Sequence, residues 1–329
     1  MIKPTLEERF LGCLIGTAVG DALGAPFEHQ ELPKELTPKH ILKEFIRIPG
    51  FPKGQYTDDT QLTIATAESI ITKRKIDGQD IAQKFTKLWK NHQILGQGIA
   101  CDEAIHRMIH HHVPWSEAGA PEGEAGNGAA MRISPIGLWN HDQTGNLPAD
   151  TYTASIITHK DKKSIAGALA IATAISYLTN NSELDTDRLL DQVSRNVFSL
   201  HQGFAQEIHQ IKTLLSQPEE QAIEQIIQKA QFGPHKGSWC GRITPYVIPT
   251  VLLSLHNLLR YPDNYAQAVA KSILAGGDTD TTAAITGALS GTHNGIKAIP
   301  QHLAQAVLNS KYIHELGKQL LQAKTQKNS

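Results

Sequence analysis

The sequence predicts an all-α chain, a single compact multi-helix domain over residues 1–329. Three observations predict it. Apolar residues recur at helical spacing, period-two alternation is nearly absent, and turn signals divide the chain into segments of helix length. The clearest helical stretches run Ile81 to Ile94, Ile165 to Leu178, Ala222 to Ala230, Tyr246 to Leu259 and Ala266 to Leu274. Asp77-Gly78, Asn180-Asn181, Gly233-Pro234 and Tyr261-Pro262 punctuate them. A chain of 329 residues, 40% of them hydrophobic, can bury a large core.

Two stretches interrupt the helical pattern. Residues 29–56 contain Pro33, Pro38, Pro49 and Pro52 and read as a long irregular loop near the functional cleft, with one short helix near Ile41. The last residues, 324–329 (KTQKNS), read as a frayed tail.

Charge and cysteine content narrow the function classes. The formal charge is −1, from 31 Lys+Arg against 32 Asp+Glu, which predicts no broad nucleic-acid or membrane-surface footprint. Cys13, Cys101 and Cys240 are far apart and form no CxxC pair, so reduced thiols in a cytoplasmic, monomeric protein are expected. The opening MIKPTLEERF lacks the pattern of a signal peptide. Phe10 to Phe27 is apolar but broken by Asp21 and glycines, and reads as a buried helix packed through small residues rather than a membrane span.

Chemistry concentrates in two acidic segments. Thr57-Asp58-Asp59 and Asp278-Thr279-Asp280-Thr281 each open a helix with almost no other charge. Either could simply cap its helix, because Thr and Asp suit the N-cap and first turn. Capping needs one acceptor, however, and each segment supplies two carboxylates. Burying ionised carboxylates without a cationic partner is costly, and no Lys or Arg lies within either segment. Hard oxygen donors suit magnesium, manganese or calcium better than zinc. The segments lie more than two hundred residues apart, so only the fold can unite them.

Further segments carry a resemblance. GCLIGTAVGDALGAPFE (12–28), YTDDTQ (56–61), GNGAAMRISPIGL (126–138), THKD (158–161) and GGDTDTTAAITGAL (276–289) occur in the order found in ADP-ribosylglycohydrolases, the group that includes the dinitrogenase-reductase-activating glycohydrolases. The resemblance spans most of the chain. It implies an all-α fold with a binuclear magnesium or manganese site in a central cleft, and cleavage of the bond between ADP-ribose and an arginine, a serine, another residue or a small conjugate. Thr57, Asp58, Asp59, Asp278, Asp280 and Thr281 match its metal ligands. Glu28 matches a glutamate at the mouth near the scissile ribose. Gly126, Asn127 and Gly128 match a loop that holds phosphates and ribose, and His159 matches a histidine on the cleft. Glu28, Asp59 and Asp280 are the candidate catalytic carboxylates.

The residues themselves support some of this independently. Two glycines flanking Asn127 allow close backbone approach to a pyrophosphate, and Ala129 onward reads as a helix start whose dipole would favour an anion. Asp21 reads as structural, hydrogen-bonded to a helix end. Arg132 is expected to pair with Glu124 or a core carboxylate. The run His110-His111-His112 reads as a polar helix end, since adjacent helical side chains diverge. The long loop and the histidine-rich stretch up to Gly123 are expected to border the cleft and set the leaving group. Two alternatives remain at this level: a catalytically weak ADP-ribose-binding relative, and a metal-dependent nucleotide phosphohydrolase built on His159 and Asp161.

Overall fold

In the computed structural model of the chain, residues 3–233, 239 and 242–327 are described. Cys240 and the Pro234 of the Gly233-Pro234 turn lie outside them. The first helices are α1 (Leu6–Gly24), α2 (Pro38–Ile41), α3 (Asp58–Lys73), α4 (Gly78–Lys90) and α5 (Ile99–His110). Then come α6 (Ser134–Trp139), α7 (Leu147–Ser155), α8 (Lys162–Asn180), α9 (Thr186–Phe198), α10 (Gln202–Leu215) and α11 (Glu219–Lys229). The chain ends in α12 (Val247–Arg260), α13 (Tyr265–Leu274), α14 (Thr279–Asn294), α15 (Gln301–Ala306) and α16 (Ser310–Lys327). Among the described residues there are isolated bridges but no strands.

The centre is an antiparallel pair, α1 against α14, the most extensive helix contact in the molecule. Thr5 and Glu8 start α1 with a reciprocal capping box. Small residues then allow the two backbones to touch. A Cβ added at Gly12, Gly16 or Gly20 would fall 2.1, 2.2 or 2.1 Å from the carbonyl oxygens of Gly291, Gly287 and Ala283 respectively. Arg9 closes the far end, its Nη1 donating to the carbonyls of Leu178, Thr292 and His293 at the ends of α8 and α14. By length and hydropathy Leu6–Phe27 could cross a bilayer, but 89% of its apolar window is buried inside the protein. Its apolarity is that of a central core helix.

This pairing decides where the acidic segments meet. Because α1 and α14 run in opposite directions, the C-terminus of α1, with Asp21 and then Glu28, lies beside the N-terminus of α14. The N-terminus of α3 packs into the same junction. Around this axis α8, α12 and α13 contribute further apolar faces to one continuous core.

Three expectations change. The tail is not frayed through its length: α16 continues to Lys327, and buried Lys324 pairs with Asp142 at 2.6 Å above the Trp139 ring. No helix starts at Ala129; residues 128–132 form turns and α6 begins at Ser134. The proline-rich loop contains the expected short helix α2, yet mostly packs away from the cleft. Ile41 and Phe45 enter the core, and the loop is tied to the C-terminal region by Leu308 N–H to Gly54 O and Asn309 Nδ2 to Tyr56 Oη. Only His29 of this loop lines the cleft.

Candidate metal centre

Asp21 organises the junction. Its carboxylate is fully buried and accepts from the backbone N–H and hydroxyl of Thr57 (2.9 and 2.9 Å) and of Thr60 (3.0 and 2.6 Å). These are the unpaired donors of the first turn of α3, so α1 caps α3 through Asp21. The expected helix-end role of Asp21 is therefore correct. Thr57 stands at the N-cap position, but its hydroxyl makes no bond to its own helix.

The released hydroxyl faces two more carboxylates. Thr57 Oγ1 lies 3.3 Å from Asp59 Oδ2 and 3.3 Å from Asp280 Oδ2, besides its 2.9 Å contact with Asp21. A hydroxyl has one proton to donate. The shortest contact takes it, so the two 3.3 Å approaches call for a carboxyl proton or a cation between the oxygens. Thr281 Oγ1 sits 3.4 Å from the same Asp59 Oδ2, while its N–H donates to Asp280 Oδ1 at 2.8 Å. Among the described residues, buried Asp59 Oδ1 has no hydrogen-bond partner. Glu28, Asp278 and Asp280 present carboxylate oxygens within 4.8 Å of one another.

No lysine or arginine among the described residues forms an ion pair with Asp58, Asp59, Asp278 or Asp280; the buried Lys324 pairs elsewhere, with Asp142. The electrostatics follow. Burial, reinforced by neighbouring carboxylates, pushes Asp58, Asp59 and Asp280 well above the ordinary carboxylate range. Burial and the charges of Asp278 and Asp21 push Glu28 up to about 8. Burial raises Asp21 to about 6 against the pull of its four donors. A cluster that resists ionisation, with an orphaned buried oxygen and only hard oxygen donors, fits a divalent cation. The structure thus unites all six residues matched as ligands.

The cluster forms one wall of a cleft of about 310 Å³. Gly126, Asn127, Gly128 and His159 line it too, as expected. Their roles differ from the expectation in two respects. The Asn127 amide is committed to the protein: Nδ2 donates to Asp278 Oδ2 at 2.7 Å and to Thr250 Oγ1 at 3.0 Å. Asn127 therefore orients Asp278. His159 is buried and packs on the glycines, since a Cβ at Gly126 or Gly128 would come within 2.9 or 2.7 Å of its ring.

Arg132 sits behind His159. It reaches neither Glu124 nor a carboxylate. Its Nη2 donates to Thr158 Oγ1 at 2.6 Å and to Ala154 O at 3.3 Å, Nη1 donates to Gly128 O, and the guanidinium stacks over Phe85. Thr158 Oγ1, accepting from Arg132, also contacts His159 Nδ1 at 2.8 Å. Arg132 and Thr158 thus fix the loop and the histidine together. Asp161 caps α8 through Lys163 N–H and Ser164 N–H and accepts from Gly123 N–H; it is not among the residues that line the cleft.

Sequence reasoning missed the segment Gly96-Gln97-Gly98-Ile99, which also lines the cleft. Gly96 turns with φ +74° against Thr57, a conformation that favours glycine. Gly98 is the N-cap of α5 and supplies no side-chain cap to its first-turn N–H groups, and Gly98, Ile99, Ala100 and Cys101 all line the cleft. The helix dipole available to an anion is that of α5, not of a helix at Ala129. Glycines alternating ahead of a helical run were the available signal. The histidine-rich stretch up to Gly123 contributes no lining residue, although Ala120 bonds the backbone on both sides of His159.

Comparison with known proteins agrees with this picture. The profile of the ADP-ribosylglycohydrolase family matches residues 2–329. The ADP-ribosyl-[dinitrogen reductase] glycohydrolase of Rhodospirillum rubrum is 28% identical over 303 residues, covering 91% of this chain and 90% of that protein. ADP-ribosylhydrolase ARH3 of Danio rerio is 26% identical over 319 residues, covering 89% and 84%. ADP-ribosylarginine hydrolase Tri1 of Serratia proteamaculans is 24% identical, covering 94% and 78%. A solved structure described as an ADP-ribosylglycohydrolase-related protein complex superposes with a TM-score of 0.75 at 24% identity, covering 97% of this chain and 99% of that one, and so shares the fold. The chain belongs to the ADP-ribosylglycohydrolase family.

Proposed function

We propose that the protein is a magnesium-dependent hydrolase that releases ADP-ribose from an ADP-ribosylated protein or a small ADP-ribose conjugate. One observation carries the reading: two acidic helix starts, 223 residues apart at Thr57 and Asp280, meet around a single hydroxyl in the wall of a cleft, with no basic side chain among the described residues paired to neutralise them. Thr57, Asp58, Asp59, Asp278, Asp280 and Thr281 would hold two Mg²⁺ ions, with Mn²⁺ an acceptable substitute. When bound, such ions supply Lewis-acid contacts to ribose hydroxyls and an activated water.

The chain's own groups do the rest. The α5 N-terminus offers backbone N–H groups to the pyrophosphate; in the facing loop the N–H groups of Gly126 and Asn127 are spent on Glu124 O and Pro245 O, so Gly128 is the residue of that loop that would approach it. His159 faces the substrate from behind the glycines. The carboxylates favour positive charge on the anomeric carbon as the glycosidic bond lengthens. Glu28 is the member of the cluster open to solvent, its side chain 24% exposed against 3% or less for the Asp58, Asp59, Asp278 and Asp280 residues. It is therefore placed to exchange a proton with the leaving group or with water, while Asp59 and Asp280 act from the interior. The two described cysteines are unpaired thiols, which supports a reducing, cytoplasmic setting.

The test is release of free ADP-ribose from arginine-linked, serine-linked and O-acetyl-ADP-ribose substrates, with magnesium and then with EDTA. EDTA-sensitive release from one of them is expected and identifies the linkage. Asp280→Ala should abolish it with the fold intact. Tight ADP-ribose binding without release from any substrate would instead mark a binding protein.

A further inference from the structure

Glu28 needs a partner to hold it at the mouth of the cleft, and the chain supplies one at the next position. His29 has φ +58°, in the left-handed region that non-glycine residues seldom adopt. Such strain persists only where the surroundings impose it, and it concentrates at functional sites. Contacts with other described residues surround it here. The His29 N–H approaches Gly277 O at 3.4 Å, directly ahead of Asp278. The imidazole lies on the indole of Trp239 with ring centroids 3.7 Å apart and planes 32° apart. Its Nε2 is 3.3 Å from Glu28 Oε1. The left-handed turn is what folds the imidazole back toward the preceding side chain; an extended residue would send successive side chains to opposite sides. Trp239 is 8% exposed while the His29 side chain is 50% exposed, so the indole is the fixed wall and the imidazole is what it restrains.

We propose that His29 is a positioning residue for Glu28, held in place by the face of Trp239, so that Trp239 acts on the reaction through the imidazole. The inference rests on the glycohydrolase reading above. Neither ring needs to touch the reacting atoms. A carboxyl group on a turn at a solvent-open mouth samples several rotamers, and an imidazole held with Nε2 3.3 Å from Oε1 favours the one that keeps this contact within reach of Asp278 and Asp280. Reaction rates are sensitive to such placement, because a displacement of about 1 Å can cost about 100-fold. Residues that position rather than bind should change kcat and leave KM unchanged.

The experiment uses the full chain with magnesium and whichever ADP-ribosylated substrate the wild type cleaves. His29→Asn keeps a residue that tolerates the left-handed backbone and removes the ring. It should lower kcat between about 10-fold and 100-fold, with KM and the affinity for ADP-ribose within about twofold of wild type. Trp239→Ala should show the same split, and Trp239→Phe should restore most of the rate by preserving the ring face. The double variant His29→Asn/Trp239→Ala should be no slower than His29→Asn alone, and His29→Asn should add nothing in a Glu28→Gln background. Wild-type kcat in His29→Asn, a loss carried in KM, or multiplying losses in the double variant would overturn the proposal. A wild type that cleaves no substrate would instead remove the glycohydrolase reading, a result separate from any of these.

Discussion

Asp21 and Thr57 share two hydrogen bonds, from the Thr57 N–H and from its hydroxyl, both at 2.9 Å to the same carboxylate oxygen. Through them a residue of the central helix caps a different helix and turns its first two carboxylates toward α14. The acidic centre depends on that single buried side chain.

Asp21→Ala leaves the backbone N–H groups of Thr57 and Thr60 buried without their acceptor. Each orphaned donor costs about 1–3 kcal/mol, so a loss of several kcal/mol is expected, read as a lower midpoint in urea. Asp21→Asn, which keeps an acceptor oxygen, should fall between. Both should weaken magnesium binding, because the N-terminus of α3 is no longer held. A variant as stable as wild type would mean that water replaces the cap.

Stability should depend on pH and metal together. Asp58, Asp59, Asp280 and Glu28 are all raised by burial and by neighbouring carboxylates, Asp21 and Asp278 among them, Glu28 to about 8. Between the unfolded and the folded pKa the native state binds more protons than the unfolded chain, so its stability falls as pH rises. This contribution is complete below the ordinary carboxylate range, about pH 4, and is lost as pH rises toward about 8 for Glu28. Scanning fluorimetry in EDTA should show the melting temperature declining between about pH 5 and 8. Magnesium should remove the decline, adding about 2.7 kcal/mol at one hundred times its Kd. A metal-free melting temperature that rises across this range would contradict the electrostatic account.

Asn127 distinguishes support of the metal centre from contact with substrate. Its amide is shared between Asp278 and Thr250. Asn127→Ala should raise the magnesium concentration needed for half-maximal turnover by about 10–100-fold, the usual effect of losing a group that orients a ligand. Asn127→Asp, which sets a like charge beside Asp278, should be worse. An unchanged magnesium requirement with weaker substrate binding would return Asn127 to the substrate.

The α1–α14 contact sets tolerance to even one methyl group. At Gly16 a Cβ would lie 2.2 Å from the Gly287 carbonyl oxygen, whereas at Gly145 nothing lies within 4 Å. Gly16→Ala must push the two helix backbones apart and should cost at least about 1–3 kcal/mol, the range for overpacked cores. It should also weaken metal binding, since α14 carries Asp280. Gly145→Ala should melt within a degree or two of wild type, which circular dichroism would check.

Much of this protein is local, and what is local was legible. Helices α4, α8, α11, α12 and α13 follow apolar periodicity, although α4 stops at Lys90 rather than Ile94. The two acidic segments announced themselves because uncompensated carboxylates are costly in apolar surroundings. The family was readable from ordered motifs, and the six matched ligands converge as the resemblance implied. What the sequence could not express was which distant groups satisfy which. Asp21 reaches Thr57 across 36 positions, Asn127 reaches Asp278 across 151, and Thr57 approaches Asp280 across 223. None of these spacings carries a period. Each depends on the antiparallel contact of α1 and α14, where glycine lets backbone meet backbone and brings one helix end against another. The same contact brings Asp278 within reach of the Asn127 amide, and packing decided that Lys324 is buried rather than frayed. Periodicity constrains what a segment is; only close packing across the chain decides what it faces.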